Sequence, residues 1–147
     1  MKYLGIDYGV KRVGLAISDD GGKIAFPYKV IQNNLELVDA IHNICGEENI
    51  SAIVLGESLD SSGNKNKVMG SIEELKKNLE IELDLPVDFE KEFMTSVHSG
   101  EQKFKNIFIA RKIKISSAKA SAYQRKDDSK AAALILQRYL DRKNNKQ

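Results

Sequence analysis

Asp7 is the first residue whose type and place could do chemistry. It sits in Tyr3-Leu4-Gly5-Ile6-Asp7, an otherwise apolar run that reads as a β-strand. A carboxylate in so apolar a strand is unfavourable unless a partner meets it. A divalent metal ion is one such partner; capping of the following turn is another. Lys11 and Arg12 follow in the turn Tyr8-Gly9-Val10-Lys11-Arg12. Beside a metal-bound acid they could hold a phosphate. The chemistry in view is phosphodiester hydrolysis. It needs a water made nucleophilic and a leaving oxygen stabilised, and a pair of divalent ions does both. Mg²⁺ or Mn²⁺ fits, because hard cations prefer carboxylate and water oxygens. Acids far apart in sequence must then converge at one end of a sheet. No spacing typical of a zinc site is present.

The charge distribution points to a polyanionic partner. Residues 1–100 carry 10 Lys/Arg against 17 Asp/Glu, whereas residues 101–147 carry 13 against 4. The densest stretch is 103–126, with eight bases and no acid, including Lys112, Lys114, Lys119, Arg125 and Lys126. Phe104, Phe108 and Tyr123 lie among these bases, and aromatic rings stack on unpaired nucleobases. Structured RNA is the first candidate partner and branched DNA the second. At 147 residues the chain is expected to form one domain, with a basic excursion at about 97–126. Its one cysteine, Cys45, excludes an internal disulfide and fits a reducing cytoplasm. No signal peptide or membrane-spanning run is apparent.

The elements that must position these groups follow from period and punctuation. A second strand carries Val13, Leu15 and Ile17 at alternate places. After the turn Asp19-Asp20-Gly21-Gly22, Lys23–Ile31 reads as a third strand, and Pro27 confines it to a sheet edge. Asn33 or Asn34 is placed to cap a helix reaching about Glu48, with Leu35, Val38, Ile41, His42 and Cys45 on one face. Residues 51–56 (SAIVLG) read as a buried parallel strand. A polar loop, 57–67, leads to a helix with Val68, Ile72, Leu75 and Leu79 on one face. Residues 85–89 (LPVDF) read as a fifth strand. Asp127 or Asp128 opens a last helix, with Ala131, Leu134, Ile135 and Tyr139 toward the core. This order, three hairpin-linked strands and then alternating helices and strands, is that of the ribonuclease H-like α/β fold. It predicts a five-stranded mixed sheet in the order 3-2-1-4-5, flanked by helices.

Four segments carry a resemblance: GIDYGVKRVGLAISD, IVLG with its Ser/Gly loop, EFMTS, and DDSKAAALILQRYLDR. Together they resemble the YqgF/RuvX family, described as pre-16S ribosomal RNA nucleases and as Holliday-junction-resolvase-like proteins. The resemblance implies a metal-dependent endonuclease with Asp7, Glu92 and Asp128 as catalytic metal ligands. Asp7 matches the first-strand Asp. Asp128 matches the Asp before the alanine pair of the last helix. Glu92 matches the Glu of an Asp-Glu-Arg motif, aligned through Thr95-Ser96. Here that motif reads Lys91-Glu92-Phe93, so its Asp and Arg are absent. Glu57 is the rival third acid, because it leaves the strand expected beside the first. His98 lies near the proposed site as a candidate for proton transfer, and His42 reads as structural. A non-catalytic nucleic-acid-binding factor is one alternative. A nucleotide phosphotransferase is another, since GIDYG also resembles the phosphate-binding hairpin of actin-like kinases. Both monomer and homodimer are compatible with the sequence.

Overall fold

The computed structural model describes residues 1–59, 62–93 and 127–146. Its elements are β1 (Tyr3–Tyr8), β2 (Arg12–Ser18), β3 (Ala25–Gln32), α1 (Leu37–Glu47), β4 (Ala52–Leu59), α2 (Met69–Leu83), β5 (Val87–Phe93) and α3 (Asp127–Asn145). The sheet order is β3-β2-β1-β4-β5. The β1–β2 and β2–β3 pairs are antiparallel, whereas β1–β4 and β4–β5 are parallel. The expected ribonuclease H-like topology is therefore present, with β1 at its centre.

Strand alternation divides the core in two. Leu4 and Ile6 of β1, Val13 and Leu15 of β2 and Ile53 and Leu55 of β4 pack with α1 and α2. The other face carries Tyr3, Ala16, Ala25, Ala52 and Val54, packed against α3. β4 is buried on both faces, which explains its unbroken apolar run. Pro27 lies in edge strand β3 opposite Ala16, where the register shifts between Leu15 and Ala16. An edge and an irregular register are the places where a missing N–H is tolerated.

Three local readings are corrected. α1 starts at Leu37 because Asn34 forms the preceding turn: its side chain accepts from Glu36 N–H at 2.9 Å and its carbonyl from Leu37 N–H at 3.1 Å. Leu37, Ile41, Ile44 and Cys45 are the buried residues of α1, while Leu35 and His42 are exposed. β4 and β5 each run further than expected, because they pair as far as Leu59 with Phe93. On α3 the core falls to Ala132, Ala133, Ile135, Leu136, Tyr139 and Leu140, with Ala131 and Leu134 half-buried.

The seat of α3 explains that rotation. A Cβ on Gly5 would lie 2.7 Å from Leu136 Cβ, and one on Gly14 would lie 2.0 Å from the Asp128 carbonyl oxygen. The helix backbone thus rests on bare strand, and alanines fill the narrow gap. Gln137, 6% exposed, bridges α3 to the start of β3: it accepts from Ala25 N–H at 2.9 Å and donates to Lys23 O at 3.0 Å. A buried amide satisfied in this way fixes the helix along its length. Among the described residues no helix is long and apolar enough to cross a membrane.

Gly14→Ala is expected to destabilise the protein by about 3 kcal/mol in urea unfolding, because the atom it meets is backbone and cannot rotate away. Buried Cys45 is a core residue whose thiol is pushed up to about 11 by desolvation. At pH 8 roughly one thiol in a thousand would then be thiolate. A disulfide reagent is expected to leave the native protein unmodified on the timescale that labels the urea-unfolded chain.

Candidate active site

The site begins with a register. Asp7 of β1 is paired with Gly14 of β2. Antiparallel partners share a face, with Cα atoms about 4.5–5.5 Å apart. Tyr3, Gly5 and Asp7 alternate onto the α3 face of β1, and Gly14 is the residue on which the first turn of α3 rests. A Cβ on Gly14 would also lie 3.0 Å from Ser129 N. The sequence neighbours of Asp128 are thereby set against the strand position opposite Asp7. The two acids, 121 residues apart, come to the same end of the same sheet face. Asp7 is half-buried and has an interaction partner. Asp128 lies in the first turn of α3, where the helix dipole favours a carboxylate.

Arg12 opens β2 and pairs with Asp128, its Nε 3.4 Å from Oδ2. The two side chains are 64% and 41% exposed, so the pair is modest in strength and open to exchange. Asn33, just past β3, straps the turn that presents Arg12 and Lys11. Its side chain donates to Gly9 O at 2.8 Å and its backbone N–H to Lys11 O at 3.0 Å. Lys11 is exposed beside it.

The third acid has two candidates. Glu92 occupies the β5 position paired with Ser58 of β4, and its side chain lies outside the described residues. Asp88 and Glu90, earlier in β5, bond Tyr139 and Arg142 of α3. Glu57 alternates instead with Ile53 and Leu55, toward α1 and α2. Its charge helps to hold the Lys65 ammonium above its usual range, an effect led by the bond from Lys65 to Glu73 of α2. The structure therefore places Glu57 on the sheet face opposite Asp7. Being next door to β1 was not enough: the register pairs Ile6 with Leu55, and Glu57, two residues on, shares the face of Leu55.

His98, Thr95, Ser96, Lys112, Lys114, Lys119, Arg125 and Lys126 lie outside the described residues. Among the described residues no group of three or more His, Cys, Asp and Glu is close enough to hold a metal. Asp7 and Asp128 supply oxygen donors of the kind Mg²⁺ and Mn²⁺ take, and Arg12 already shows that the Asp128 carboxylate faces a cation. The donor set fits a hard divalent ion. The residues missed from the sequence are Asn33 and the seat glycines. Gly14 had a signal, since it stands inside the GIDYG-x-KR-x-G run; Asn33 had none, because its partners are backbone carbonyls.

The family model described as "RuvX: Holliday junction resolvase" matches residues 1–142. This chain belongs to the RuvX family. The chain is 34% identical over 152 residues to a protein of Maridesulfovibrio salexigens named "Putative pre-16S rRNA nuclease", covering 97% of this chain and 99% of that one. A Pelagibacter ubique protein of the same name is 28% identical over 148 residues, covering 99% and 91%. Among solved structures the fold is similar to Thermus thermophilus RuvC in complex with a Holliday junction substrate, with a TM-score of 0.61 at 13% identity, covering 98% and 96%. It is also similar to the fowlpox virus Holliday junction resolvase, with a TM-score of 0.58 at 14% identity, covering 96% and 98%. As a RuvX member the chain is a nuclease, a hydrolase of phosphodiester bonds. Resolvase-like nucleases in general depend on divalent metal.

The Arg12–Asp128 pair generates a prediction with a readout other than cleavage. A cation bound at Asp128 would have to displace Arg12. Arg12→Gln is expected to tighten Mn²⁺ binding about two- to fivefold by calorimetry, the range a half-exposed ion pair allows. Unchanged or weaker binding would show that Arg12 and the metal do not compete.

Proposed function

We propose that this RuvX-family nuclease cuts structured RNA by metal-dependent hydrolysis, with processing of the 5′ end of pre-16S ribosomal RNA as its role. The observation that carries this reading is the shared face of Asp7 and Asp128 at the end of the sheet. The names of the full-length relatives favour ribosomal RNA. Branched DNA is the second substrate class, favoured by the family description.

In this reading Asp7, Asp128 and Glu92 hold one or two Mg²⁺ or Mn²⁺ ions. The bound metal supplies an activated water and stabilises the leaving oxygen. The chain's own work is to place the scissile phosphate against those acids. Lys11 and Arg12 meet phosphate oxygens from the turn that Asn33 straps. The first turn of α3 adds the positive end of a helix dipole at the same point. The bases at 112, 114, 119, 125 and 126 extend the phosphate contacts. With its single cysteine reduced and buried, the protein is assigned to the cytoplasm.

Asp7→Asn tests the reading. It removes a metal-binding charge and also a repulsion toward phosphate. Cleavage of a pre-16S RNA fragment in Mn²⁺ is expected to fall at least a hundredfold, while gel-shift affinity for that RNA holds or rises. Loss of both together, with a lowered melting temperature, would assign Asp7 to folding instead.

A further inference from the structure

At the end of α3 remote from Asp128 lies a second cationic feature. Arg142, Lys143 and Lys146 line a groove of about 360 Å³ with Asp88, Phe89 and Tyr139, beside β5, the last strand of the sheet among the described residues. The two carboxylates of this region already have partners. Asp88 accepts from the Tyr139 hydroxyl, and Glu90 pairs with Arg142. Burial and the bond to Asp88 push the Tyr139 hydroxyl well above the usual phenol range, so it stays protonated and keeps donating. Lys143 and Lys146, both exposed, have no carboxylate partner among the described residues. Lys143 is held over two rings, 5.2 Å from the Tyr3 centroid and 5.7 Å from that of Tyr139. A cation anchored on aromatic rings has lost part of its freedom before any ligand arrives, which lowers the ordering penalty of binding.

We propose that this groove is a second nucleic-acid site, binding the phosphodiester backbone of an RNA strand that continues beyond the cleavage site. The inference rests on the reading of the chain as a nuclease of structured RNA. Asp128 and Lys143 are separated by about 22 Å along α3 at 1.5 Å per residue. A stacked strand at about 3.4 Å per nucleotide covers that span in roughly six nucleotides. Exposed Arg142 and half-exposed Lys130 and Arg138 punctuate the helix between the two ends. The groove thus measures a length of strand flanking the cut, where the acids and the β1–β2 turn hold the cut itself.

The test compares a bare RNA hairpin with the same hairpin carrying an eight-nucleotide single-stranded extension at its 5′ or its 3′ end. Binding is followed by fluorescence anisotropy across a salt series without divalent metal, so that nothing is cut. The variant is Lys143→Gln with Lys146→Gln; Arg142 is left in place because it holds Glu90. Wild type is expected to bind one extended RNA more tightly than the bare hairpin. The variant is expected to lose at least fivefold on that RNA and nothing on the bare hairpin. Two lost single-strand phosphate contacts would lower the salt slope by about 1.4. Wild-type affinity and slope in the variant would overturn the proposal. So would equal losses on both RNAs, which would assign the lysines to general charge attraction. Failure of the wild type to bind any of these RNAs would overturn the RNA reading itself, and this site with it.

Discussion

The molecule depends on how closely one helix approaches one sheet. α3 touches β1 and β2 where glycine leaves the strand without side chains, and its carbonyl at Asp128 fills the space a Gly14 Cβ would take. That contact sets the height of the helix, its rotation and the position of its first turn. The alanines of α3 follow from it, since larger side chains would lift the helix off the sheet. So does the meeting of Asp7 and Asp128, because Gly14 is the register partner of Asp7. The residue that makes room for the helix stands opposite Asp7 in the strand pair.

The Asp128 carboxylate has a counter-charge within the chain. Arg12 stands on Asp128 from the turn that also follows Asp7, and Asn33 ties that turn to the end of β3. The guanidinium is exposed enough to exchange partners, so the same residue suits a resting carboxylate and an incoming phosphate. At the other end of α3, Asp88 and Glu90 of β5 are met by Tyr139 and Arg142, while Lys143 lies over the Tyr3 and Tyr139 rings. The helix therefore carries an acid-centred site at its first turn and a cation-lined groove at its last.

The basic stretch that dominates the sequence lies outside the described residues. The described part carries exposed cations of its own, in Lys11, Arg12 and the groove at the end of α3. In the proposed reading these short-range contacts select where a strand lies, whereas a run of eight bases draws in any polyanion.

Much of this was legible in the residues themselves. Alternation in β1 and β2, the edge-confining Pro27 and the continuous apolar run of β4 located the strands, because those signals are local and periodic, and the order of elements then pointed to the sheet order. The motif around Asp7 and the alanine-rich last helix drew attention to Asp7 and Asp128, which lie toward the same end of the sheet. What only the tertiary structure decided were quantities of register and rotation. Glu57 is next door to β1 in topology, yet one residue of parity sends it to the opposite face. The rotation of α3 is set by glycines on strands more than 70 residues away, which helical periodicity does not contain. The pairing of Arg12 with Asp128 is likewise invisible in one dimension. A strand's period tells which residues share a face; which face, and opposite what, is fixed only when the neighbouring backbone is in place.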